Sequence, residues 1–366
     1  MKTKFLSLCL ILFPVLAVST ILSSTLNPRD VTVHEWGTFT SVAGEDGVAT
    51  PWRTYGGRED LPCFVDSFGG FKSQIPGTVR METPVLYFYS SQEATADVKV
   101  AFPKGTMTDW YPQASTPPNG SIEWRNVRIL PRAEQSFPQG SGPSHYYLAR
   151  ETDAAPLQVG TQTEKFLFYR GVGSFPLPIS ARLTPDGRVQ VKSLDDNTVN
   201  GVILFENRGG KLGYTVVGQV HGEVTLDRSS LQNNRAGLFK ALERALTDQG
   251  LYAREAHAMI QTWSDSWFEE GARLFYILPR PTVDSVLPLA IQPAPAKTNR
   301  VFVGRTEIIT PEIQSDVRQA LARRDVATLE KYGRFLEPIA QRIGAHNPLL
   351  DSIYESHSNR AATCSR

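Results

Sequence analysis

The chain has little of what nucleophile, metal or nucleotide chemistry normally requires. It carries three cysteines in 366 residues, and one of them, Cys9, sits in an N-terminal apolar run. HExxH and paired-cysteine spacings are absent. The histidines His34, His145, His221, His257, His346 and His357 stand apart in sequence, so a zinc site has no local support. There is no GxSxG elbow, and Cys63 in DLPCFVD has no recognisable partner, which leaves serine and cysteine hydrolases without a motif. Gly69-Gly70 and Gly209-Gly210 lack a phosphate-loop context and read as turns, so no nucleotide is implied. An excess of one charge is missing as well: 38 basic side chains against 37 acidic ones give a net charge of +1. Such a balance offers no field to draw in a nucleic acid backbone or an anionic membrane, and nucleic acid is not an expected partner.

What is present begins with an export signal. Lys2 and Lys4 precede FLSLCLILFPVLAVSTIL, and Ala17-Val18-Ser19 supplies a small-x-small cleavage site, so residues 1–24 read as a signal peptide. An uncleaved anchor is the competing reading; Pro14 and the Ser/Thr run after it disfavour a spanning helix, and no transmembrane span is expected after cleavage. The expected location is periplasmic or secreted. An oxidising compartment would let Cys63 and Cys364 pair, but Cys364 lies in the polar tail AATCSR, and two free thiols are the expectation. Hydrophobic residues at 41% and charged ones at 20% match an ordinary globular chain.

The mature chain reads as mainly β, an α+β fold built on a sandwich or a pair of sandwiches. From 25 to 226, β-branched and aromatic runs alternate with Gly, Pro, Asn and Asp clusters, as in VTVHEWGTF, VRMETPVLYFY, DVKVAF, SIEWRNVRIL and EKFLFYRGV. Pro185-Asp186-Gly187 and Asn207-Arg208-Gly209-Gly210 are hairpin turns. ETPVLYFY and EKFLFY form a weak internal echo. Across 227–271 the period changes: Leu238, Leu242 and Leu246 mark one helix ended by Gly250, and Tyr252, Ala256, Met259, Ile260, Trp263 and Trp267 mark a second, giving an antiparallel hairpin. Strands return over 272–309, with ARLFYILP, SVLPLAI and RVFVGRTEII. Helices and a tail fill 310–366, opening on Thr310-Pro311-Glu312. The returning strands should tie these parts into one body.

Candidate chemistry centres on the second helix. Asp265, Glu269 and Glu270 crowd its C-terminal pole, where the macrodipole is negative and acids are disfavoured, so something must compensate. One reading is a structural clamp by Arg273, Arg280, Arg80, Arg170 or Arg208. The other is a divalent metal site or a general acid/base pair, with His34 or Glu35 approaching from the sheet. His34 and Glu35 are neighbours in a strand and point to opposite faces, so both cannot ligate one metal without a bulge. Arg80 and Glu82 share a face and suggest a buried Arg-carboxylate network, with Glu164 on the echoing segment. Trp36, Trp110 and Trp124, among six tryptophans, could form a carbohydrate-stacking platform; core packing is the competing account. His257, Gln261 and Asp265 share the opposite, solvated helix face.

The strings VHEWGTFTSVAGEDG, RMETPVLYFYS, EKFLFYRGVG, ILFENRGG, TWSDSWFEEGARLFYILPR and RVFVGRTEI resemble those of an uncharacterised family of exported bacterial proteins. The resemblance spans nearly the whole mature chain and implies an envelope or secreted setting. It carries over no catalytic residue, although the strings are densest over His34 to Thr40 and Thr262 to Arg273. Two functions follow as expectations. The first is a non-catalytic envelope or secreted binding protein for a glycan, peptide or protein. The second is an extracytoplasmic, metal-assisted hydrolase using Asp265, Glu269 and Glu270.

Overall fold

The structure, a computed structural model, describes residues 30–54, 61–67, 75–116, 120–140, 142, 144–195 and 197–360. The signal segment 1–24 and Cys364 lie outside the described residues. Cys63 is disulfide-bonded to a partner that also lies outside them, which corrects the expectation of two free thiols; tail polarity did not decide the redox state.

In chain order, the first half supplies β1 (Thr32–Val42), β2 (Asp66–Ser67), β3 (Val79–Tyr89), β4 (Ala94–Ala101), β5 (Gly105–Tyr111) and β6 (Ser121–Ile129), then a 3-10 helix over His145–Arg150. Next come β7 (Leu157–Val159), β8 (Gln162–Glu164), β9 (Leu167–Gly173), β10 (Ile179–Leu183), β11 (Val189–Ser193), β12 (Val199–Arg208), β13 (Lys211–Val220) and β14 (Glu223–Leu226). The hairpin is α1 (Arg235–Asp248) and α2 (Ala253–Trp267). After it run β15 (Gly271–Ile277), α3 (Arg280–Val286), β16 (Leu289–Gln292) and β17 (Lys297–Ile308). The end is helical: α4 (Pro311–Arg323), α5 (Val326–Lys331), a 3-10 turn over Gly333–Phe335, α6 (Leu336–Arg342) and α7 (Pro348–Arg360).

The expected mainly β, α+β architecture is the one observed. A nine-stranded sheet runs β13-β12-β15-β17-β1-β3-β9-β5-β2 among the described residues, with β1 and β17 parallel and its other pairs antiparallel. The returning strands β15 and β17 slot between β12 and β1. A five-stranded sheet (β16-β4-β6-β7-β8) and a three-stranded one (β10-β11-β14) share an apolar core with one face of the large sheet. α1 and α2 cover the opposite face through a second core, and the C-terminal helices gather a third around Trp52, Val42 and Ile309. β1 is therefore buried on both sides along nearly its whole length, which explains why its sequence does not alternate cleanly. The two echoing segments, in β3 and β9, are adjacent antiparallel strands of the large sheet.

Local chemistry explains the boundaries. The β12–β13 hairpin turns on Gly209 and Gly210, at φ +59 and +77, the pair of positive angles a two-residue primed turn requires. Asn234 caps α1 by accepting from Gly237 N–H, Thr310 caps α4, and Asp325 caps α5. In SVLPLAI only Leu289–Gln292 is a strand; the residues before it close the short helix α3, opened by Pro281 in its first turn.

Candidate functional site

The buried side of α2 carries two stripes. Ala256, Met259, Ile260, Trp263 and Trp267 form the apolar one and enter the core with Phe205 and Phe275. Glu255, Thr262 and Ser266 recur at seven and four residues and line up as a second, polar stripe on the same helix, continued by Glu269 just past its end. A wholly apolar stripe would need nothing from the sheet beneath; this one needs polar partners.

The sheet supplies them. At the N-terminal end of α2, His34 Nδ1 lies 2.7 Å from Glu255 Oε2, Tyr89 donates its hydroxyl to Oε1 at 2.8 Å, and Tyr252 N–H donates to Oε2 at 2.8 Å. At the C-terminal end, Arg305 Nη2 donates to Glu269 Oε1 at 2.5 Å. Beside Arg305 on β1, Thr40 donates to Glu82 Oε2 at 2.8 Å, and Arg334 from the C-terminal 3-10 turn binds the other oxygen of Glu82. Thr40 pairs in register with Arg305 on one side and Arg80 on the other, while Thr38 pairs with Glu82. A bulge in β3 holds Thr83 at φ 45, and its hydroxyl accepts from Arg170 Nη2 at 3.2 Å. The result is a seam beneath the C-terminal half of α2, to which VHEWGTFT, RMETPVLYFY, EKFLFYRGV, TWSDSWFEEG and RVFVGRTEI each bring a polar side chain.

Arg305 is fully buried, yet its Nε and Nη1 have no partner; the Thr38 and Thr262 hydroxyls are buried without partners as well. Burial first, and then the Arg273 guanidinium nearby, push Arg305 below the ordinary arginine value. The mouth of the seam is wetter. His145 Nε2 lies 3.0 Å from Asp265 Oδ2, and the two side chains are 41% and 57% exposed, so this pair meets solvent. Against the upward push of partial burial, His145 and the Ser266 N–H hold the Asp265 carboxyl below its ordinary value.

The three acids at the end of α2 are thus divided among different partners. Glu269 goes to Arg305, Asp265 to His145, and Glu270 accepts from Gly209 N–H at 2.8 Å and from Lys331 at 3.1 Å. Arg273 binds the helix end through carbonyls, those of Trp267, Glu269 and Glu270 at 2.8, 2.9 and 2.8 Å, and its Nε takes Glu307 at 2.9 Å. Burial raises the Glu307 carboxyl. Gly271 permits this clamp: it sits at φ +132, and a Cβ there would lie 2.3 Å from Glu307 Oε1.

Several expectations need correcting. His34 and Glu35 do point to opposite faces, but neither approaches the acids: His34 is locked to Glu255 at the far end of α2. Glu35 lies in the other core, accepting from Tyr169 at 2.5 Å and from Arg300. About three to four turns separate Glu255 from the acids, and the sheet itself separates Glu35. Trp36, Trp110 and Trp124 are 0%, 8% and 1% exposed, so they pack the core and form no stacking platform. Glu164 belongs to a separate pair with Arg150 at 2.7 Å. Arg80 donates to the Ile75 carbonyl at 3.0 Å and lies over the Trp52 ring, while Glu82 is the member that reaches the seam. Away from the seam, apolar side chains of α1 and α2 pack against those of the sheet. An open cleft of about 710 Å³ lies instead on the outer side of α1 and α2, beside Lys240, Arg244, Arg254, His257 and Gln261. Among the described residues, no group of three or more His, Cys, Asp or Glu side chains is placed to hold a metal ion.

Sequence reasoning did not single out Arg305, Arg300, His145 or Thr38. A usable signal was present for the arginines: RVFVGRTEI is too apolar for an edge strand, and Arg300 and Arg305 differ in parity, so one must be buried on each face.

No protein-family model and no curated protein matches this chain. Among solved structures it is similar to the Fcho1 mu homology domain of Danio rerio with bound Eps15 peptide, at TM-score 0.32 and 7% identity, over 77% of this chain and 97% of that one. It is also similar to the yeast delta-COP-I mu-homology domain, complexed with a Dsl1 WxWxV peptide (TM-score 0.32, 8% identity, 76% and 98% of the two chains) and without it (0.33, 8%, 76% and 98%). No helix among the described residues is long and apolar enough to cross a membrane.

Proposed function

We propose that this is an exported, non-catalytic binding protein of the cell envelope or its surroundings, and that it engages a peptide, protein or glycan at the mouth of the seam beneath α2. One observation carries the reading: polar side chains from five separate strands and helices meet there, and the acids that could have served catalysis are taken up as counter-ions to Arg305, His145 and Lys331. An arrangement of guanidinium, hydroxyl and imidazole groups is suited to holding a polar ligand in place. Export is supported by the signal-like residues 1–24.

The test is retention of the purified protein on peptidoglycan and polysaccharide resins and on peptide arrays. It is compared with variants that reverse charge at the mouth, Asp265→Arg and His145→Glu. Both side chains are well exposed, at 57% and 41%, so the fold should survive in each. Retention that falls about tenfold or more in the variants supports the reading. Retention that is unchanged in both, or absent from every surface, overturns it.

A further inference from the structure

The unpartnered groups of the seam share a chemical bias. Arg305 Nε and Nη1 can only donate, and the Thr38 and Thr262 hydroxyls are free to donate. Leaving such groups buried and unmatched is unfavourable, so whatever completes them must present acceptors. Among the described residues the one carboxylate that hydrogen-bonds Arg305, Glu269, engages Nη2 alone. Glu269 leaves a way in, since its side chain is 26% exposed while Arg305 behind it is fully buried.

We infer that the seam is an oxyanion site: a carboxylate or phosphate group of the ligand lodges against Arg305, completed by the Thr38 and Thr262 hydroxyls. This rests on the binding-protein reading for its biological sense; the site itself rests on the unpartnered donors of Arg305, Thr38 and Thr262, with Thr38 two residues along β1 from Thr40, the register partner of Arg305. Arg305 would grip the group through charge-assisted hydrogen bonds, the strong class, and in a setting that water screens poorly.

The experiment uses the purified protein and two probes, inorganic phosphate and citrate, each titrated at constant ionic strength against chloride. Thermal unfolding and calorimetry are the readouts. A site of this kind gives a saturable rise in melting temperature with one probe and none with chloride. A response to phosphate alone assigns a phosphate-bearing ligand, and a response to citrate alone a carboxylate-bearing one. Arg305→Met is expected to weaken the responding probe about tenfold or more. Should Arg305→Met unfold, the double variant Thr38→Val/Thr262→Val keeps the guanidinium and is expected to weaken binding several-fold. No saturable response to either probe, or an equal response in both variants, overturns the inference. Anion binding without retention on any resin or array would leave the oxyanion site standing and remove the binding-protein reading. Retention that depends on the mouth but ignores anions would do the reverse.

Discussion

Arg300 and Arg305 stand on the same strand, β17, both withdrawn from solvent, and face opposite sides of the central sheet. On one side Arg300 is engaged by Glu35 through Nε, and its Nη1 donates to Asp284 and to the Leu287 carbonyl, both at 2.8 Å. Burial works against its charge, but Glu35 and Tyr169 hold its pKa above the ordinary arginine value. On the other side Arg305 has one nitrogen engaged, a less buried carboxylate as partner, and a pKa held below the ordinary value. A guanidinium whose neighbours favour its charge is part of the scaffold. One whose neighbours disfavour it has been kept there against a local cost, and such conflicts concentrate at functional sites.

The sharpest way to break this contrast is to remove each guanidinium in turn. Arg300→Met strands the fully buried Glu35 carboxylate with only the Tyr169 hydroxyl and is expected to cost about 3–5 kcal/mol in urea unfolding. Arg305→Met leaves a partner that reaches solvent and also removes unmatched donors, so its cost should stay within about 1 kcal/mol. Equal losses at the two positions would make Arg305 as structural as Arg300, and the contrast would fail.

The two ends of α2 refine the same distinction on a smaller scale. Glu255 is fully buried and satisfies His34, Tyr89 and the Tyr252 N–H at once, whereas Glu269 is half-open and holds Arg305 alone. Glu255→Ala should therefore cost about 2–3 kcal/mol and speed hydrogen exchange in the first turn of α2, while Glu269→Ala should cost less than half as much. A larger loss from Glu269→Ala would mean that the C-terminal end, not the N-terminal one, anchors the helix.

Much of this frame is legible in the residues. The hairpin is readable because Leu238, Leu242, Leu246 and the α2 apolar stripe follow one helical period, and Gly250, at φ +97, stops α1. The need for a clamp at the end of α2 follows from three acids at a negative pole, and Arg273 is adjacent in sequence. The seam is not legible in the same way. It depends on β17 sitting beside β1 across more than 250 residues, and on the bulge at Thr83 that turns Glu82 toward α2, neither of which has a local signature. The tryptophans misled for a related reason: an aromatic in a strand does not disclose whether the face it points to is covered, and here both faces are. His145 was unreadable because its 3-10 helix follows a long Pro- and Gly-rich stretch with no periodicity.

The smallest effect belongs to a rim pair and tests whether burial is what separates the two kinds of contact. Glu312, in the first turn of α4, accepts from Arg228 at 2.8 Å and lies at the positive end of the helix dipole. Partial burial pushes its carboxyl up, but Arg228 and Thr310 prevail and hold it at about 2, below the ordinary 4.5. A carboxyl depressed in the folded state contributes stability that is present above its unfolded value and lost as pH falls toward about 2. Carboxyl NMR titration of Arg228→Met should show Glu312 moving up toward its ordinary value, with a shallower acid limb in the stability profile. Because the Glu312 side chain is 47% exposed, water and salt screen the pair, and Glu312→Gln, which leaves Arg228 on the buried Glu206, should cost less than about 1 kcal/mol at neutral pH and less still at high salt. A loss comparable to that of Arg300→Met would show that exposure does not grade these ion pairs. The inference drawn from the open side of Arg305 would then lose its physical basis.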